Sequence, residues 1–262
     1  MKTLYIYGTV YMNGGTIKKS VESLLPLTKK FNLYLSIIDN FSTDNTYRWL
    51  VSNSNKYKNM VFYIKQVKCN RGKGRDIALN HILNIAQPND FTFYIDLDSI
   101  YTKKYINYIF NFINQRSKNK IGMYYLSLVK YNYGVNWKNL NYGEDIERIA
   151  HFKYKGYRVE IDSYGNYFRI NQDRGNLTRE REIIYAKGLK YYIRLFNNTI
   201  DTERGLAFKN FSEFYKLSKY KSNFMLLSFY FAYLIAKFKG IYSYSKIEDN
   251  FSYVSSSTNL DK

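Results

Sequence analysis

One cysteine, Cys69, and two prolines occur in 262 residues. A single cysteine excludes an intramolecular disulfide and fits a reducing compartment; Cys69 itself reads as a small buried core residue. Acidic residues are scarce too. There are 21 Asp and Glu against 40 Lys and Arg, a formal net charge of +19. Such an excess draws polyanions, whether nucleic acid, anionic lipid or a phosphorylated small molecule, and charge alone does not choose among them. The cations are scattered, without the long basic run of a nucleic-acid tail. The apolar run from Phe224 to Ala236 has 13 residues, short of the roughly 20 that span a bilayer. The start, Met1-Lys2-Thr3-Leu4-Tyr5-Ile6-Tyr7, lacks the charged, apolar and small-residue zones of a signal peptide. No internal repeat is visible. Nothing in the sequence demands export, and the expected location is the cytoplasm.

What is present is enough to fold. Hydrophobic residues make up 45% and aromatics 19%, so low hydrophobicity gives no reason to expect disorder. The length suits one α/β domain with an appendage. Strand-like runs occur at residues 2–9, 33–38, 61–67 and 91–95. Helical patterns separate them: one from Thr16 to about Leu25, one after Asp44, and one through Ile77–Ile85. That alternation predicts a mostly parallel sheet flanked by helices. Beyond Ser99 the spacing predicts a helix from Thr102 to about Ile113, a strand over 121–129 and a loop over 131–142. A helix over Glu144–Lys155 stopped by Gly156, and a strand over 157–161 returning to the sheet, complete the pattern.

The strongest local chemistry is Asp96-Leu97-Asp98 at the end of an apolar strand. Mg²⁺ and Mn²⁺ prefer oxygen ligands, and open α/β sheets bind ligands beyond the carboxyl ends of their strands. In an extended segment both carboxylates point the same way, one toward a metal and the other toward a second metal position or a ribose hydroxyl. The competing reading is a solvated turn whose acids cap a helix. Asp39 also ends a strand and suits a nucleobase imide, or is a turn residue; Asp44 suits a helix cap. The segment Asn70-Arg71-Gly72-Lys73-Gly74-Arg75 reads as a glycine-bearing loop. There Lys73 and Arg75 meet a diphosphate, or merely form a basic turn; the P-loop spacing is absent. Glu144-Asp145 opens a helix, where capping alone explains one of the two acids. His81 and His151 read as core or helix-surface histidines ahead of any ligand role.

These pieces occur in an informative order. Asp39-Asn40-x-Ser42-x-Asp44-x-Thr46, then Asn70-x-Gly72-Lys73-Gly74, then Tyr94-Ile95-Asp96-Leu97-Asp98, then Gly143-Glu144-Asp145 with Gly156 beyond it, resembles the family 2 glycosyltransferases of the GT-A fold. The opening Tyr11-Met12-Asn13 with Thr16-Ile17 is similar to that family's first strand-loop-helix. The resemblance covers roughly residues 3–162. It implies a Rossmann-like GT-A core that transfers a sugar, with inversion, from a nucleotide-diphosphate sugar to a hydroxyl or phosphate acceptor. It also implies a divalent cofactor, Mn²⁺ or Mg²⁺. On matching positions, Asp39 reads the donor base and Asp98 binds the metal, with Asp96 beside the ribose and the metal. Tyr11, Lys73 and Arg75 join the donor side, Asp145 is the catalytic base, and Glu144 lies on the acceptor side. Two departures stand out: Ser99 replaces a further acid, and Ala150-His151 falls where many relatives have Arg.

The remaining chain is divided as 163–244, a mainly helical extension facing acceptor or membrane, and 245–262, a flexible polar tail. Helical patterns near 178–189 and 206–219 precede the 224–238 segment, whose Lys-flanked apolar run suits an interfacial helix or a buried one. The first option makes the protein peripheral at the cytoplasmic membrane face. Expected partners are a UDP- or GDP-sugar and a glycan, lipid-linked or protein acceptor. A nucleotidyltransferase and a basic nucleic-acid-binding protein without catalysis are the alternative functions. Nucleic acid is the less expected partner, because strand-end acids repel phosphate without a metal.

Overall fold

Leu4, Ile6 and Val10 face one way and Tyr5 and Tyr7 the other, and this alternation builds the first strand, β1 (Lys2–Val10). The computed structural model describes residues 1–115, 119–138, 144–161, 169–171 and 251–253. On one side of β1 lies β2 (Phe31–Asp39), with β3 (Met60–Gln66) beyond it; on the other lies β4 (Phe91–Asp96). All are parallel. A short antiparallel strand, β7 (Ser127–Leu128), completes the order β3-β2-β1-β4-β7. Parallel neighbours need crossovers, and α1 (Ile17–Glu22), α2 (Thr46–Asn53) and α3 (Arg71–Ile85) supply them.

Both sheet faces are covered. Leu33, Leu35, Phe93 and Ile95 pack with Ile17 and Val21 of α1, Leu50 of α2, and Ile106 and Ile109 of α4 (Lys103–Gln115). Tyr7, Ile38 and Tyr94 face Ala78, Leu79 and Ile82 of α3, together with Trp137 and Phe152. Each fully buried aliphatic or aromatic side chain contributes about 1.5–3 kcal/mol. The mostly parallel sheet between helices agrees with the expected fold class.

Four local expectations are corrected. The first helix stops at Glu22 and continues only as a 3₁₀ turn over Leu25–Lys29, because Pro26 cannot donate to an α-helical ladder. Residues 71–75 are no loop; they are the first turn of α3, with the Asn70 side chain accepting from the Lys73 N–H at 2.8 Å. The strand expected over 121–129 is broken into β6 (Lys120–Ile121) and β7 by a turn in which Tyr124 and Tyr125 have φ of +51° and +59°. Met123, Tyr125, Leu126 and Ser127 are all buried; a half-buried strand would alternate, so the chain must turn to bury them. Finally, β8 (Arg158–Ile161) does not rejoin the main sheet. It pairs with β6 and with β10 (Phe251–Tyr253), the latter inside the tail expected to be flexible.

The strand β5 (Ser99–Tyr101) follows the end of β4 and pairs antiparallel with the distant β9 (Arg169–Asn171). The helix α5 (Glu144–Tyr154) runs as expected to Gly156, whose φ of +81° ends it in the left-handed conformation. The loop expected over 131–142 holds buried Asn132, Val135 and Trp137, with residues 139–143 outside the described set. The helical patterns at 178–189 and 206–219 and the 224–238 segment also lie outside it. Among the described residues no helix is long and apolar enough to cross a membrane.

Gly74 is where α3 meets the sheet most closely: a Cβ there would lie 2.5 Å from the Thr9 methyl and 3.1 Å from the Cys69 sulfur. Gly74→Ala should therefore lose about 1–3 kcal/mol in urea denaturation despite alanine's better helix propensity. Gly15→Ala, with nothing within 4 Å of the added Cβ, is expected to leave the midpoint nearly unchanged.

Candidate active site

Parallel register places the acids along one edge. Val10 pairs with Asp39 and Thr9 with Asp96, so the ends of β1, β2 and β4 come out together, with Tyr11 just beyond β1. This is the carboxyl edge, where α/β sheets bind ligands. Asp39 is buried; its carboxylate accepts from the Ser42 N–H at 3.0 Å, the Ser42 hydroxyl, and Gln66 Nε2 at 2.9 Å. Asp44 accepts from the Gly14 N–H at 2.8 Å and from the N–H of Thr46 at 3.0 Å as well as its hydroxyl. Burial pushes its carboxyl up, but the Thr46 and Gly14 bonds outweigh this and hold it below the usual value. Asp44 thus caps the start of α2 and ties the loop after β1 to it.

Arg75, expected at a diphosphate, lies elsewhere. It is only 2% exposed, with Nη1 2.5 Å from Asp145 Oδ1 and 2.9 Å from Glu144 Oε1, and Nη2 3.3 Å from Asp96 Oδ1. It also donates to the Tyr94 hydroxyl at 2.5 Å, and that hydroxyl donates to Asp96. The guanidinium carbon sits 4.2 Å from the Tyr94 ring centre and 4.8 Å from that of Trp137. Burial would loosen its proton, but Asp145, Glu144 and Asp96 outweigh burial, so Arg75 stays a cation. Lys73 remains half-exposed, 3.5 Å from Asp76.

Glu144 and Asp145 divide sharply. Glu144 is 1% exposed and lies 3.6 Å from Arg71 as well as against Arg75, whereas Asp145 is 49% exposed. The sequence reading put Glu144 on the acceptor side; in the structure its carboxylate is turned to Arg75 and Arg71. Burial raises the Glu144 carboxyl above its usual value; Arg75 and Arg71 oppose that shift and Asp145 adds to it. The Asp145 carbonyl accepts from the Tyr125 hydroxyl at 3.1 Å, which fixes the start of α5.

Asp96 and Asp98 are not on one extended segment, because β4 ends at Asp96 and Leu97-Asp98 form a tight turn into β5. Leu97 is buried as the anchor of that turn. The buried Ser99 donates to Asp98 Oδ1 at 3.2 Å, and its carbonyl accepts from Ser20 Oγ at 2.5 Å. Ser99 thus orients Asp98. The donor set suits a hard divalent cation: Asp96 and Asp98 offer oxygen, and Asp96, Glu144 and Asp145 outnumber the guanidinium among them. Among the described residues no group of three or more His, Cys, Asp or Glu forms a cage; Mg²⁺ sites commonly take one or two carboxylates and complete their shell with water and substrate phosphate.

Arg148, Trp137 and Tyr125 escaped the sequence reading. Arg148 is buried; it donates to Asn132 Oδ1 at 2.6 Å and to the Val135 carbonyl, and its guanidinium lies 4.7 Å from the Trp137 ring centre. Trp137 is thus flanked by two buried arginines. The available signal was the i,i+4 spacing of Glu144 and Arg148, which puts them on one helix face. His151 is half-buried on α5. His81 stacks on Tyr63 with ring centres 3.6 Å apart and bonds the Tyr34 hydroxyl at 2.9 Å, a packing role that agrees with the sequence reading.

Arg75→Gln should cost about 3–5 kcal/mol at neutral pH, because it leaves Glu144 buried without its partner. The folded-state value of Glu144 is already raised, so its contribution is fully present below the unfolded value and lost as pH rises through the folded one. The deficit of Arg75→Gln relative to the parent should therefore shrink as pH falls from 8 to 5. Equilibrium urea denaturation across that range checks this; a deficit independent of pH would contradict it.

Comparison with known proteins supplies the family. The model of glycosyl transferase family 2 matches residues 8–179, well over half of the chain. No curated protein matches the chain in sequence. Among solved structures it is similar to S. aureus TarS 1-349 in complex with UDP-GlcNAc, with TM-score 0.59 and 14% identity over 88% of this chain and 79% of that one. It is also similar to the mannosyltransferase PcManGT from Pyrobaculum calidifontis in complex with GDP-Man and Mn²⁺. There the TM-score is 0.50 and the identity 11%, over 90% of this chain and 73% of that one. At these identities the likeness shows a shared fold. The family match replaces the nucleotidyltransferase and nucleic-acid-binding alternatives. By that match and the mostly parallel GT-A architecture, this chain belongs to glycosyltransferase family 2.

Proposed function

We propose that the protein transfers a sugar from a UDP- or GDP-sugar to a hydroxyl or phosphate acceptor, with inversion and with the help of Mn²⁺ or Mg²⁺. The observation that carries this reading is the common edge on which Asp39 and Asp96 end their strands, with Asp98 in the turn just beyond and half-exposed Asp145 joined to Asp96 through Arg75. Support for the donor class comes from the two similar structures, one holding UDP-GlcNAc and the other GDP-Man and Mn²⁺.

Asp39 accepts from the base of the donor, with Tyr11 on the same rim, and Lys73 faces the diphosphate as a surface cation. Asp98, with Asp96, would hold the metal. When bound, the metal neutralises charge growing on the departing nucleoside diphosphate. Asp145 takes the proton of the acceptor hydroxyl as that oxygen attacks the anomeric carbon; one displacement inverts the configuration, and one base suffices. Arg75, held by Glu144, fixes the direction of the Asp145 carboxylate and keeps it beside Asp96. The acceptor is a glycan, a lipid-linked sugar or a protein. A lipid-linked acceptor would place the protein at the cytoplasmic membrane face, and otherwise it works in the cytoplasm.

Release of nucleoside diphosphate from a panel of UDP- and GDP-sugars, with Mn²⁺ and candidate acceptors, tests the reading. Asp98→Asn is expected to abolish metal-dependent donor binding. Asp145→Asn should bind donor as the parent does while transfer falls by about 10²–10⁴-fold. Parent-like transfer in Asp145→Asn would overturn the base assignment, and no release from any donor would overturn the function.

A further inference from the structure

Phe41 sits two residues beyond Asp39 with φ +49° and a side chain 54% exposed. A bulky residue in the left-handed region is an outlier that persists only where its surroundings fix it. They do so from both sides. The Asn40 N–H donates to the Val10 carbonyl at 2.9 Å, and Asn40 Oδ1 accepts from the Cys69 N–H at 2.9 Å. The Ser42 N–H donates to Asp39 Oδ2 at 3.0 Å, and Ser42 Oγ accepts from the Met12 N–H at 2.9 Å. Met12 is itself left-handed, with φ +54°, and its sulfur accepts from the N–H and hydroxyl of Thr43 at 3.4 and 3.3 Å. The segment carrying Tyr11 and Met12 is thereby fastened to the segment carrying Phe41.

Core packing does not explain a ring that faces solvent, and glycine would make the same turn without strain. The strained backbone instead holds an exposed ring two residues beyond Asp39. A nucleobase has two recognisable parts: an edge that hydrogen-bonds in plane and a π-face that stacks. Asp39 suits the edge. We propose that Phe41 supplies a stacking face for the donor nucleobase and is a binding residue of this site. The proposal rests on the nucleotide-sugar reading above, and it adds a contact that the family resemblance did not assign.

Calorimetric titration of the full chain with UDP and with GDP, each with Mn²⁺, tests it. For whichever nucleotide the parent binds, Phe41→Gly should raise Kd about ten-fold, and Phe41→Trp should stay within about two-fold. Pyrophosphate with Mn²⁺ has no base, and Phe41→Gly should bind it as the parent does. A nucleotide Kd unchanged in Phe41→Gly overturns the proposal and leaves the donor reading standing. Equal weakening toward pyrophosphate also overturns it, since that marks general damage to the pocket. A parent that binds neither nucleotide overturns the donor reading and this proposal with it.

Discussion

Taking a guanidinium out of water costs several kcal/mol unless opposite charge meets it. In this chain Asp96 meets Arg75 from the end of β4, and Glu144 and Asp145 meet it from the start of α5. One buried cation therefore joins three parts of the chain that are far apart in sequence. The Tyr94 and Trp137 rings against it keep water away, which strengthens each ion pair. The approach of α3 to β1 at Gly74 makes this geometry available, because a side chain there would hold the helix off the sheet. The placing of these carboxylates thus depends on a cation that is itself buried.

The two adjacent acids of α5 divide the labour. Glu144, buried, is consumed in holding Arg75 and lies near Arg71; Asp145, half-exposed, shares the same guanidinium yet still faces solvent. One carboxylate is thus committed to structure and the other is open to chemistry. The three carboxylates around Arg75, with Arg71 near Glu144, still outnumber the cations there, within a chain whose formal net charge is +19. In the function proposed above, a divalent cation offsets that surplus and the wider positive field draws a phosphorylated donor.

Much of this was legible in sequence, for a local reason. Asp39 and Asp96 end apolar runs, and parallel strand ends share an edge, so their proximity follows from pattern alone. Arg75 was not legible in the same way. Gly72-Lys73-Gly74-Arg75 has the composition of a solvated basic turn, and only the docking of α3 on the sheet decides that Lys73 stays out while Arg75 goes in. The Asn70 cap was the overlooked clue, since an Asn three residues before the Lys73 N–H starts a helix. Glu144 and Asp145 are neighbours with the same chemistry, and helix phase separates them. Tyr124 and Tyr125 break an expected strand because packing of Tyr124 on Tyr101 and Tyr105, and of Tyr125 on Trp137 and Phe152, outweighs strand propensity.

The central claim is that Arg75 and Glu144 stabilise the site as a coupled pair. A double-mutant cycle in unfolding free energy, built from Arg75→Gln, Glu144→Gln and the combined variant, tests it most directly. If the account holds, the double variant loses less than the sum of the single losses, by roughly 1.5 kcal/mol or more, because removing both charges leaves neither stranded. Losses that simply add would contradict it.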